Sequence, residues 1–260
     1  MTQLLHYAVP QFQSLLIVLV RVGGIMAAIP VLGSRTIPPR LKVALILTMG
    51  LVLLPLVAVP RLPEDPLLIG AGLGAEFLVG MVIGLGVRVL FAGFELAGEF
   101  MGMLMGLGVV QLFDPSTSYR TAVISQFYTL LATLVFLSMN AHFVMVEAVA
   151  RSFELVPPFG ARLSPALGED VARISQGMFV IALKLAAPVL TTALLINLAM
   201  AILGRAVSQL NVFMLSFPLT IVAGFFVMGA SLPFMIGLYH DEFERLEETI
   251  HSLLRMLGHG

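Results

Sequence analysis

Apolar residues run through this chain in long blocks, and the polar positions between them are few. Ala206 to His240 is a stretch of 35 residues without Asp, Glu, Lys or Arg, and Val43–Pro60, Phe100–Phe113, Thr121–Val146 and Leu185–Gly204 are further charge-free runs. A bilayer's hydrocarbon core takes about 20 apolar helical residues to cross. Only helices or closed barrels satisfy their backbone polar groups there. The pattern therefore predicts an all-α, polytopic helical membrane protein, with apolar segments at 12–31, 42–60, 67–94, 95–113, 121–149, 174–203 and 212–238. The fourth is short, glycine-rich and flanked by Glu95 and Glu99, so it reads either as a span or as one arm of a re-entrant hairpin.

Prolines mark the connections at Pro38-Pro39, Pro60 to Pro66, Asp114-Pro115, Pro157-Pro158 and Pro165. Pro188, Pro218 and Pro233 fall inside apolar segments and predict kinked or broken helices. After residue 240 the periodicity changes. Phe243, Leu246, Ile250, Leu253 and Leu257 recur every three or four positions among Asp241, Glu242, Glu244, Glu247 and Glu248. This is an amphipathic helix with a narrow apolar stripe. Its acidic face is repelled by anionic lipid, which favours a protein contact over the membrane surface. The chain thus divides into a helical membrane domain, 1–238, and an amphipathic C-terminal helix and tail, 239–260.

Positive charge suggests an orientation. On seven segments one side receives Arg35, Arg40, Lys42, Arg151, Arg162, Arg173, Arg245 and Arg255, and the other only Arg61, Arg120 and Arg205. That asymmetry places the C-terminus in the cytoplasm. Met1–Ser14 contains no Lys or Arg, so the first apolar stretch is expected to stay as a helix rather than be cleaved as a signal peptide.

Composition narrows the chemistry. Charged residues make up 11% of the chain, against about 25% in soluble domains, and mean hydropathy is +1.03. The net charge of −1 and the lack of a basic stretch argue against nucleic acid. No cysteine is present, which excludes disulfides and thiolate metal sites. Sequence signatures of zinc proteases, serine hydrolases and P-loop enzymes do not occur. His6, His142, His240, His251 and His259 are scattered. No catalytic, cofactor or metal residues are expected.

The most unusual stretch is Gly98-Glu-Phe-Met-Gly-Met-Leu-Met-Gly-Leu-Gly108. Gly98, Gly102 and Gly106 fall at i, i+4 and i+8, a face on which helices approach closely, and Gly80 and Gly84 repeat that spacing. Met101 and Met105 form a second i, i+4 pair with Met103 across the helix, and flexible methionines seal well against a changing surface. Spacing alone favours packing over a seal and leaves both open. Charges inside apolar segments are costly and face protein or water; here they are Arg21, Glu76, Arg88, Glu95, Glu99, Glu147 and Lys184. Arg88 and Glu95 stand seven apart and neutralise each other if the helix continues. Glu95 and Glu99 need an outside partner or a watery setting, or mark an interfacial turn.

At these residues the chain resembles the FliR/SctT family of type III export-gate proteins. The landmarks run in order. Arg21 is followed by Pro30-Val-Leu-Gly-Ser-Arg-Thr-Ile-Pro38 and Lys42, then Gly98-Glu99, Gly102, Met105-Gly106 and Asp114-Pro115. Asn140-Ala-His142 and Ala182-Leu-Lys-Leu-Ala-Ala-Pro188 follow, then Asn197, Gly204-Arg205, Gln209-Leu-Asn211-Val-Phe213 and Phe217-Pro218. The chain departs from the family pattern at Leu104, Ala141 and Ser208, where glutamine, glycine and proline are usual.

The resemblance implies kinked helical hairpins within a right-handed helical export gate, built with FliP and FliQ homologues beside FlhB and FlhA homologues and admitting unfolded export substrates. It implies a plug from the region of Gly106–Asp114, which places Val109, Val110, Leu112 and Phe113 as plug candidates. Location would be the bacterial inner membrane at the flagellar basal body, and service in an injectisome remains an alternative. From another class, a secondary transporter would carry matched inverted repeats, of which the chain offers only the Gly-xxx-Gly spacing.

Overall fold

The structure is a computed structural model and describes residues 2–29, 37–57, 65–107, 123–161, 165–207 and 211–259. These residues form seven α-helices: α1 Thr2–Ala28, α2 Pro39–Leu53, α3 Pro66–Leu104, α4 Val123–Ser138, α5 Ala141–Leu155, α6 Pro165–Ala206 and α7 Val212–His259. Among the described residues, α1, α3, α6 and α7 are long and apolar enough to cross a membrane, and α4 with α5 makes a fifth crossing if the pair is one broken span. The protein is an all-α polytopic membrane protein.

Helix limits differ from the expected segments for local reasons. Segment 67–94 and the first part of the next, as far as Leu104, are one helix, α3, which passes through Glu95 and Glu99 without a break. Those carboxylates therefore mark no interfacial turn, and no re-entrant arm begins there. Segment 121–149 is instead two helices, because Asn140 takes a left-handed φ of 56°, which ends the α-helical hydrogen-bond ladder. α2 starts with Pro39 at its first position, where the missing N–H costs nothing. It stops at Leu53, short of the expected residue 60, in a 3-10 turn that contains Pro55. Pro188, Pro218 and Pro233 do not end their helices. At Pro188 the Thr192 hydroxyl donates to the Pro188 carbonyl at 2.9 Å. The charge partition drawn on seven spans loses its basis with these limits.

Two compact units share the chain: Met1–Val89, Asn140–Ile174 and Glu244–Gly260 in the first, Leu90–Met139 and Ser175–Phe243 in the second. In the first unit α1 buries Ile17, Val18 and Val22, α3 buries Val79, Ile83 and Val87, and α5 buries Val149. The stripe of α7 belongs with them. Leu246, Ile250, Leu253 and Leu257 are at most 2% exposed, and Gly86 of α3 faces Leu246 and Ile250. The apolar stripe expected to meet another protein or the membrane surface is thus covered by its own chain. Its acidic neighbours Glu244, Glu247 and Glu248 point outward.

The second unit is held by rings. Phe94 meets Tyr239 edge-on at 4.2 Å between centroids, and Phe136 meets both Phe91 and Phe243 at 5.8 and 5.4 Å. Edge-to-face pairs of this kind add to the area they bury. The Tyr128 hydroxyl donates to Met235 Sδ at 2.9 Å and the Tyr239 hydroxyl to the Tyr128 carbonyl at 3.4 Å. α6 and α7 leave Leu194, Leu198, Ile202, Val222 and Phe226 more than half exposed, faces suited to lipid or to apolar protein.

Candidate functional site

The glycine-methionine tract closes α3, and its residues have separate jobs. A side chain on Gly98 would run into the backbone of α4, reaching 2.6 Å from the Ser125 nitrogen. The Ser125 hydroxyl donates to the Glu95 carbonyl at 3.0 Å across the same contact. Met101 and Met105 are fully buried inside the chain, whereas Met103 is 73% exposed. Gly224 on α7 makes room for Met105, since a Cβ there would sit 2.8 Å from its terminal methyl.

Gly106 departs from the expected helical face. It takes φ +77° beyond the last turn of α3. Its N–H donates to the Met103 carbonyl at 3.1 Å, and that of Leu107 to the Gly102 carbonyl at 3.0 Å. This pair of bonds is a Schellman cap, which needs a residue tolerant of positive φ. Gly98 and Gly102 are helical and buried, while Gly106 is the stop. The ring of Phe217, on α7, lies where a Cβ on Gly106 would go. We expect Gly106→Ala to cost about 1–2 kcal/mol from backbone conformation alone. Because that cost is local, adding Phe217→Ala should leave most of it in place. Chemical unfolding of the two variants in detergent checks this, and full rescue by the second substitution would assign the cost to the ring instead.

The plug candidates Val109, Val110, Leu112 and Phe113 lie outside the described residues, as does Gln209. Asn211 precedes α7, and its side-chain oxygen accepts from the Met214 N–H at 3.2 Å, an N-cap. Arg205 lies in the last turn of α6, where a cation suits the helix dipole. Phe213 and Pro218 belong to the first two turns of α7, the latter exposed.

Arg88, Glu95 and Glu99 all stand exposed on α3. The internal charges that do meet are others. Lys184 Nζ on α6 approaches Glu242 Oε1 on α7 at 3.9 Å. Arg21 on α1 and Glu76 on α3 form a fully buried pair, Nε to Oε2 at 2.6 Å. Arg21 also donates to the Ser152 hydroxyl at 3.1 Å and the Val156 carbonyl at 3.0 Å, with its guanidinium 4.0 Å above the Phe153 ring. Glu76 Oε1 accepts the Phe159 N–H at 2.8 Å. Every element of this site comes from the first unit, and it fastens α1 and α3 to the end of α5 and the turn after it. Sequence reading flagged both charges but gave them no partners. The signal available was the small-residue spacing: Gly24 and Ala28 on α1 meet Gly80 and Gly84 on α3, which brings two otherwise unrelated charges together.

The landmarks extend over nearly the whole chain. It matches the profile of the bacterial export proteins, family 1, over residues 12–246. It is 32% identical over 243 residues to the flagellar biosynthetic protein FliR of Pectobacterium carotovorum subsp. carotovorum, covering 90% of this chain and 91% of that protein. The FliR of Bacillus subtilis (strain 168) is 28% identical over 255 residues, covering 95% of this chain and 96% of the relative. That of Escherichia coli (strain K12) is 28% identical over 239 residues, covering 90% and 92%.

Proposed function

The chain belongs to family 1 of the bacterial export proteins, beside the FliR proteins of flagellar biosynthesis, and on that premise we propose that it is a non-enzymatic subunit of the flagellar protein export gate. It assembles with FliP and FliQ homologues into a right-handed helical complex, next to FlhB and FlhA homologues, in the bacterial inner membrane at the basal body. Unfolded flagellar substrates pass through the complex. Energy for their passage comes from elsewhere in the apparatus.

One observation carries the reading: the way α3 ends. Gly98, in the turn before its last, packs against the Ser125 backbone, the exit of the helix is set by the Gly106 cap, and Met103 in the last turn faces outward. That arrangement supports a fixed base for a plug containing Val109, Val110, Leu112 and Phe113, with Met103 at its rim and Met101 and Met105 anchoring it from inside. An apolar constriction blocks ions by dewetting yet gives way to a passing polypeptide. The exposed apolar faces of α6 and α7 suit sister subunits as well as lipid.

Co-expression with FliP and FliQ homologues tests both parts of the proposal. The chain should co-purify in one complex, and deletion of Val109–Phe113 should leave that complex intact but raise its conductance to small ions in planar bilayers. Failure to co-purify would remove the gate-subunit reading. An intact complex with unchanged conductance would remove the plug.

A further inference from the structure

Most of the circumference of α2 is exposed. The helix rests on α1 through one side, where Gly50 and Leu53 are buried and Gly50 faces Leu15 and Leu19. Leu41, Val43, Leu45, Leu47, Leu51 and Val52 stand exposed on the rest. Between Val43 and Leu53 the one hydroxyl, that of Thr48, turns back onto the Ala44 carbonyl at 2.9 Å. This surface therefore presents no unpaired polar group. The exposed positions of α3 and α6 are composed differently, since they include Glu95 and Glu99 on the first and Lys184 and Asn197 on the second. Polar groups of that kind within apolar segments face protein or water. Close helix contacts in membranes also draw on small residues, and the one glycine of α2 already faces α1.

The charges of α2 are confined to its start. Arg40 and Lys42 lie in the first turn with no acidic residue among them, and no Asp or Glu occurs in the chain before Glu64. Successive residues of a helix are about 100° apart, which sets Arg40 between Leu47 and Leu51 on the exposed side. We propose that α2 is a lipid-facing helix, with its aliphatic surface among acyl chains and its basic first turn at anionic phospholipid headgroups. Leucine and valine side chains over so wide an arc match hydrocarbon, and nothing on that arc asks for a polar partner. Long basic side chains at the end of an apolar segment keep their stems in the apolar layer and their charge at its edge. An anionic leaflet attracts each such cation, and the first 63 residues hold no carboxylate side chain to compete for it.

The chain contains no tryptophan, so Leu45→Trp and Leu47→Trp each give the full chain a single indole, on opposite edges of the exposed side. In vesicles of phosphatidylcholine and phosphatidylglycerol, lipid with brominated acyl chains should quench both indoles. Brominated phosphatidylglycerol should quench more than brominated phosphatidylcholine at the same mole fraction. Arg40→Gln with Lys42→Gln should lower that preference by about fivefold for each cation removed. The same two positions carry a photo-crosslinking benzophenone in cells that also make the FliP and FliQ homologues, and adducts there should be to phospholipid. Indoles that brominated lipid leaves unquenched, or protein adducts at either position, would overturn the proposal and assign the face to another subunit. Equal quenching by the two lipids, unchanged by the double substitution, would overturn the headgroup contact. Both readouts report on the surroundings of α2 whether or not the export-gate reading holds.

Discussion

Glu76→Ala is expected to prevent the protein from accumulating in the membrane. The substitution leaves the Arg21 guanidinium, fully enclosed in the first unit, with no counter-ion. Breaking a buried ion pair from one side costs about 3–5 kcal/mol, a large share of the roughly 5–15 kcal/mol that a typical domain has in total. It also frees the Phe159 N–H that Glu76 accepts, so the turn after α5 loses an anchor. Arg21→Met combined with Glu76→Leu should behave quite differently. Both charges are gone, their volumes are roughly kept, and what remains is the loss of partners for the Phe159 N–H and the Val156 carbonyl, about 1–3 kcal/mol for each group left unsatisfied. Membrane-fraction yield followed by size-exclusion profiles would rank wild type above the double variant and the double variant above Glu76→Ala. If the double variant ranked with the single one, the network would matter for its hydrogen bonds to the turn and not for its charge balance.

The fold class was legible because run length against bilayer thickness needs no tertiary information. Helix limits were less so. An apolar run cannot distinguish a span that ends from one that continues, and at Glu95 and Glu99 two exposed carboxylates resembled a boundary inside α3. At Asn140 the reverse happened: one left-handed residue, neither glycine nor proline, split an uninterrupted run. The spacing of Gly98, Gly102 and Gly106 was real, yet the third glycine is not on the helical face: it ends the helix at a positive φ, with the Phe217 ring where a Cβ would go. The stripe on α7 was legible as an amphipathic helix. Its partner was not, because sequence spacing reports that a face is buried and leaves open against what. The same limit hid the join between Arg21 and Glu76, 55 residues apart.

Gly80→Ala is expected to disrupt the same region from the helix side, and by an amount that depends on the ion pair. A methyl on Gly80 would land on the Arg21 carbonyl oxygen and within 3.0 Å of the Ile25 nitrogen. On the opposite helix a Cβ on Gly24 would reach 3.1 Å from the Met81 nitrogen and 3.2 Å from the Gly80 Cα. All these neighbours are backbone, so no rotamer change relieves them and α1 must move away from α3. Overpacking of a close contact typically costs about 1–3 kcal/mol. Here the separation also stretches the 2.6 Å bond between Arg21 and Glu76, which raises the cost toward the top of that range. Gly70→Ala on the same helix has open space around its Cβ and should be neutral or gain up to about 1 kcal/mol in helix propensity. The coupling can be isolated by repeating Gly80→Ala in the Arg21→Met, Glu76→Leu background. With no polar bond demanding a fixed spacing, the helices can separate at lower cost, and the substitution should do less damage there. Strict additivity in that cycle would mean that the glycine contact and the ion pair are independent, and that the close approach of α1 and α3 does not exist to bring Arg21 to Glu76.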